Sequence, residues 1–156
     1  MALPVLSLLI GLILPPNEDW VVIASQNEAV LAVERTTIRR SGDHVSATVL
    51  MGFFRPETPP GTTAAMQYYL SDETMDCSAQ TRAEHEVRIY APDGALLGES
   101  PSNPNVSIRT GSMVHDVYEA LCAGEPEPVS DGHATPMEAI RAEAGERRST
   151  GRAVND

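Results

Sequence analysis

Two cysteines and four histidines are the side chains most able to do chemistry in this 156-residue chain, and their spacing decides which chemistry is open. Cys77 and Cys122 stand too far apart for a zinc motif and too few for a disulfide-rich scaffold. They are either one disulfide or two buried thiols, and the compartment decides between these. His85, flanked by Glu84 and Glu86, looks like a metal or acid–base cluster. In a strand, however, alternate side chains point to opposite faces, so His85 turns away from both glutamates and the three cannot share an ion. A metal would need a distant partner such as His44 or His115. His115 with Asp116, and His133, read as solvated polar residues. Ser112 followed by His115 lacks a nucleophile elbow and a third triad member. Asp72, Glu73 and Asp76 precede Cys77 as an acidic cluster that can bind calcium, and an exposed acidic loop accounts for it equally. Arg39 and Arg40 beside Gly42 are a solvated hairpin tip before they are an anion contact. With no phosphate loop, dinucleotide fingerprint or zinc spacing, the expectation is no catalytic residue, no metal and no cofactor.

Composition narrows the partners. The formal net charge is −11, and such a field repels nucleic acid and anionic membrane surfaces alike. All 11 basic residues are Arg, which an Arg-biased, GC-rich genome explains more simply than selection for bidentate contacts. Apolar residues make up 42% of the chain and aromatics only 4%, so a core must be filled with Val, Ile, Leu, Ala and Met. A domain needs roughly 100–150 residues, so this is one domain with extensions.

The N-terminus sets the compartment. Val5 to Leu14 is an apolar run broken only by Ser7 and Gly11. It is too short for a membrane span of ~20 residues but suits a signal-peptide core. No Arg or Lys precedes it, and no small-x-small cleavage site follows before Pro15-Pro16. Residues 1–19 are therefore expected to be a signal peptide and pre-domain segment, and the protein to be exported to the periplasm or cell surface. An oxidising compartment favours the Cys77–Cys122 bridge. In the chain-entropy model, closing a loop of that length stabilises by about 4 kcal/mol.

The elements that must position these residues are mostly strands. Trp20–Ala24, Ala29–Val33 and Thr36–Arg40 carry apolar and β-branched runs, with turns at Ser25–Glu28 and Ser41–Asp43. Val45, Ala47, Val49, Met51 and Phe53 alternate with His44, Ser46, Thr48 and Gly52, the period of a sheet with one wet face. Arg55 to Gly61, with Pro56, Pro59 and Pro60, is expected to be a loop. Ala65–Leu70 and Thr81–Tyr90 follow as strands, the latter with Ala83, His85, Val87 and Ile89 on one face and Arg82, Glu84, Glu86 and Arg88 on the other. Pro92-Asp93-Gly94 turns the chain into a last strand from Ala95 to Leu97. Val114, Val117, Tyr118, Leu121 and Cys122 form one helical stripe, with Ser112 as N-cap, Asp116 in the first turn, and Gly124 and Pro126 as the stop. The fold class is α+β, an antiparallel sheet of about six strands with one C-terminal helix packed on a face and held by the disulfide. Residues 124–156 are expected to be a polar, disordered tail in which Met137 to Arg148 forms at most a transient helix.

This order resembles the surface-adhesin E-like family of bacterial envelope proteins. The resemblance rests on a Trp opening the first strand and on Ala32-Val33-Glu34-Arg35-Thr36-Thr37-Ile38 running into Arg40-Ser41-Gly42-Asp43-His44-Val45. Tyr69-Leu70-Ser71 leading to Asp76-Cys77, and Gly111-Ser112 opening a helix that ends at Cys122, complete it. It covers residues 20–123. Ala47-Thr48 stands where an aromatic is expected, the tail is additional, and no lipoprotein cysteine is present. The resemblance implies a six-stranded antiparallel sheet with the helix held by the bridge, and brings no catalytic residues. The functional expectation is a non-enzymatic, adhesin-like binding module whose partner is an envelope or host-matrix protein. Its expected contact surface is the sheet face without the helix, together with the loop Pro56 to Gly61. A periplasmic accessory protein without a stable partner is the second reading, and a hydrolase a distant third.

Overall fold

A computed structural model of the chain describes residues 18–59, 62–124 and 132–150. The expected signal segment therefore lies almost wholly outside the described residues, as do Pro60 and Gly61 of the expected loop. Seven strands form one antiparallel sheet: β1 (Trp20–Gln26), β2 (Ala29–Ser41), β3 (His44–Glu57), β4 (Met66–Asp76), β5 (Thr81–Tyr90), β6 (Leu96–Ser100) and β7 (Asn103–Ser107). The order is β1-β2-β3-β4-β5-β6, with β7 also pairing β5. β1 and β2 are joined through Asn27-Glu28 and β2 and β3 through Gly42-Asp43, where Gly42 adopts φ +58°, at which a Cβ would be strained. Two helices follow, α1 (Met113–Ala123) and α2 (Pro136–Ser149).

Register decides which side chains share a face. Val33 pairs Val49, Val45 pairs Met75, and Val49 pairs Ser71. Together with Leu31 and Ala47 these residues build one core, closed by Val117, Tyr118 and Leu121 of α1. On the other face Trp20, Val22, Val30, Ala32, Leu50 and Tyr68 build a second core, closed by Ala139 and Ile140 of α2. The first strands are thus buried on both sides, which is why Trp20-Val21-Val22 and Val30-Leu31-Ala32-Val33 are continuous apolar runs. Cys77, just past β4, is bonded to Cys122 near the end of α1, with Cα atoms 5.6 Å apart. Tyr118 adds a hydrogen bond from its hydroxyl to the Cys77 carbonyl, 2.8 Å. The stapled helix on an antiparallel sheet is the architecture expected from the sequence. Ser112 caps α1 by accepting from the His115 amide.

Five details differ, the first being that the strand expected to end at Leu70 runs on to Asp76, so Asp72, Glu73 and Asp76 lie in β4 and not in an exposed loop. The expected strands Ala29–Val33 and Thr36–Arg40 are one strand, β2, irregular between Glu34 and Arg39. β3 continues to Glu57 through Pro56, where a loop was expected, because its register with β4 breaks between Gly52 and Glu57. No ladder amide is demanded of a proline in such a break. β7 adds a strand. Most consequential, residues 136–149 are an ordered helix packed on the sheet rather than a transient one in a disordered tail. Thr135 caps it, Pro136 starts it, and Arg147 and Arg148 lie in its last turn. Only Ala139 and Ile140 supply its buried apolar contact, too little for a periodic signal. What makes room is Gly52, where an added Cβ would collide with Ile140 Cγ1 and lie 2.7 Å from its Cδ1. The face expected to be bare is therefore covered by α2 over β1–β3.

Candidate functional site

β4 and β5 carry the acidic cluster and the Glu84-His85-Glu86 triplet singled out in the sequence. Asp72 pairs Glu86 and Glu73 pairs Glu84, so β5 has one residue, His85, with no counterpart on β4. This is a β-bulge, and it breaks the strict alternation assumed for β5. Glu84 consequently falls on the α1 face with Glu73, while Glu86 falls on the opposite face with Asp72. The expectation that Glu84 and Glu86 share a face, with His85 on the other, is corrected by this extra residue. The ion pairs follow the split. Arg82 bridges Glu73 at 3.1 Å and Glu84 at 2.9 Å on the α1 face. Arg88 contacts Asp72 and Glu86, both at 3.3 Å, on the other.

The expected acidic cluster is dispersed by the same geometry. Asp72 and Glu73 point to opposite faces of β4. Asp76 instead caps the turn after β4, accepting from the amides of Ser78 and Ala79 and from the Ser78 hydroxyl. Those hydrogen bonds, the Ala79 amide first, hold its carboxyl below the usual carboxylate range. The histidines are dispersed too. His44 lies 3.6 Å from Asp76, His85 is hydrogen-bonded to Thr74 at 2.9 Å, and His133 exchanges backbone hydrogen bonds with Trp20. His115 sits on α1, 3.8 Å from Glu119. His115, Asp116 and Glu119 place one ligand atom each within 4.8 Å of one another, the one group among the described residues spaced to hold a cation. Arg39 donates to the Thr36 and Ile38 carbonyls and Arg40 to the Gly124 carbonyl, so this hairpin tip serves the backbone.

Glu73 is the most constrained ionisable group. Its residue is 4% exposed. One carboxylate oxygen accepts from Ser71 at 2.6 Å and from Arg82 at 3.1 Å. The other, Oε2, is buried and has no hydrogen-bond partner among the described residues. Burial pushes its carboxyl above the ordinary value, against the pull of Arg82 and Ser71. Beside it, under α1, lies a cavity of ≈ 10 Å³ lined by Tyr69, Met75, Val114 and Val117 among others, about the space of one water. The Tyr69 phenol is pushed up to about 12 by burial and then by Glu84 and Glu73.

Tyr69 also lines a second, open space, together with Glu84. Along the outer edge of β5, β6 pairs Val87–Tyr90 and β7 pairs Thr81, Arg82 and Glu84. Neither pairs His85 or Glu86, and opposite this bulge the chain leaves the sheet at Pro101-Ser102. The gap is a cleft of ≈ 400 Å³ walled by Tyr69, Glu84, Val87 and the segment from Ser100 to Asn103. Sequence reasoning missed it, since Glu84-His85-Glu86 alternates like any exposed strand and nothing local marks the bulge.

Among the described residues no helix is long and apolar enough to cross a membrane. No curated protein matches the chain. Residues 20–123 match the family model of surface-adhesin protein E. That span runs from the first residue of β1 to the last of α1 and takes in both cysteines, the bulge and the cleft, and on this match the chain belongs to the surface-adhesin protein E family.

Proposed function

We propose that the protein is a non-enzymatic, exported binding module of the bacterial cell envelope, adhesin-like, whose partner is an envelope or host-matrix protein. The observation that carries this reading is the family match over the entire stapled sheet and α1. The geometry supports it in two ways. Ser112, His44, His85 and Arg82, the side chains nearest to chemistry, are engaged in capping a helix or tying β4 to its neighbours. The outer sheet edge, by contrast, offers an open cleft, and Leu96 and Leu97 of β6 are exposed. The disulfide suits a module that works outside the cytoplasm. Because the face expected to make contact is covered by α2 over β1–β3, the contact surface is assigned to the β5–β7 edge.

The test is twofold. Protease shaving of intact cells is expected to remove the protein, and the purified chain is expected to capture a specific protein from envelope or host-matrix extracts. Retention in the periplasm after shaving, with no partner captured from either extract, overturns the reading.

A further inference from the structure

We infer that the cleft beside the β5 bulge receives the cationic side chain, guanidinium or ammonium, of a basic segment on the protein's partner. This rests on the binding-module reading above and adds the chemistry of what is bound. Charge comes first. Two carboxylates, Glu73 and Glu84, share the single guanidinium of Arg82. Glu84 forms part of the cleft wall, and behind Tyr69, which lines both spaces, Glu73 keeps an oxygen that no described group satisfies. Glu84, which faces the cleft while it shares Arg82 with the buried Glu73, is a place where a second cation is stabilised.

Shape agrees. The Tyr69 ring and Val87 offer apolar wall for a methylene stem, while Ser100, Ser102 and Asn103 offer hydroxyls and an amide around the head. The cleft opens at the sheet edge, where β5 is paired by neither β6 nor β7 at His85 and Glu86. An extended segment can therefore approach along the strand as its side chain enters. The net charge of −11 steers a basic partner toward the molecule.

The probe is a fluorescein-labelled hexa-arginine peptide, titrated against the full chain by anisotropy at physiological salt, with hexa-glutamate as control. Binding of the first and none of the second are expected. Glu84→Gln should weaken binding about tenfold or more. Ser102→Trp, at an exposed position, should block the cleft without touching the ion pairs, and a melting curve checks that both variants are folded. Glu146→Gln on α2, at an exposed position on the opposite side of the sheet, removes an equally negative charge away from the cleft and should change affinity less than about twofold. Equal losses in Glu84→Gln and Glu146→Gln, or undiminished binding by Ser102→Trp, overturn the assignment. If envelope or matrix binding survives in Glu84→Gln and Ser102→Trp, the module reading stands and the cleft is not its site. If hexa-arginine is bound in the cleft but no envelope or matrix protein is captured, the cleft stands and the adhesin reading falls.

Discussion

Replacing Ile140 by Ala should detach α2 from the sheet while leaving the sheet folded. Truncating a buried Ile ordinarily costs ~2–5 kcal/mol, transfer plus cavity. Here the loss is capped by what holds the helix down. Fully burying Ile140 contributes ~1.5–3 kcal/mol, with a smaller share from Ala139 and half-buried Met137. Arg147 lies 5.3 Å from the Phe54 ring centroid, a contact worth ~0.5–1 kcal/mol at an exposed site. Against these stands Glu143, buried with its Oε1 unpartnered, at a cost of ~1–3 kcal/mol. The net docking energy is a few kcal/mol, so removing most of Ile140 releases the helix instead of leaving a cavity beneath it. Trp20 reports the event, being the only Trp, 2% exposed, and packed in the same core. Ile140→Ala should red-shift its fluorescence, and hydrogen exchange should accelerate across 136–149 while β3 and β4 stay protected. Unchanged emission with α2 still protected would refute the weak docking argued here. Loss of protection in α2 and β3 together would instead make the helix part of the cooperative core.

Three further outcomes test other parts of the structure. Cys122→Ser opens a bridge spanning 45 residues, which the chain-entropy model values at about 4 kcal/mol. Calorimetry should show a melting temperature lower by about 10–20 °C, with Trp20 emission unchanged in the native state, and a shift within error of zero contradicts the bridge. Glu73→Gln should flatten stability against pH. The folded carboxyl titrates above its ordinary 4.5, so the native state holds more protons and stability falls as pH rises from that value through the raised one. Urea unfolding at pH 5 and 8 should show this loss in the wild type and not in the variant. Gly52→Ala puts a methyl 2.7 Å from Ile140 Cδ1 and 3.2 Å from Val30 Cγ1. That overpacking, worth ~1–3 kcal/mol, should reproduce the exchange pattern of Ile140→Ala.

What the amino-acid order determined by itself is what is encoded locally. Val45 to Val49 announce a strand by a period of two, and Val114 to Cys122 announce α1 by a stripe one turn wide. Ser112 and Gly124 mark the ends of α1 because a cap needs only a side-chain oxygen or a freed backbone within one turn. The Cys77–Cys122 bridge was legible from two cysteines, one on that stripe and one after a strand, only together with the apolar run from Val5 to Leu14, which argued for an oxidising compartment.

The tertiary structure alone decided where a local rule is overridden by a neighbour. α2 carries two buried apolar residues, and its place on the second face depends on Gly52, some 88 positions earlier, leaving room for Ile140. The His85 bulge is a property of the β4–β5 register, not of either strand. One extra residue reverses which face each later side chain occupies, parting Glu84 from Glu86 and setting Glu84 beside Glu73. The cleft exists because β6 and β7 pair β5 on either side of that bulge. Such pairing energies join residues distant in the chain, so no window of sequence contains them.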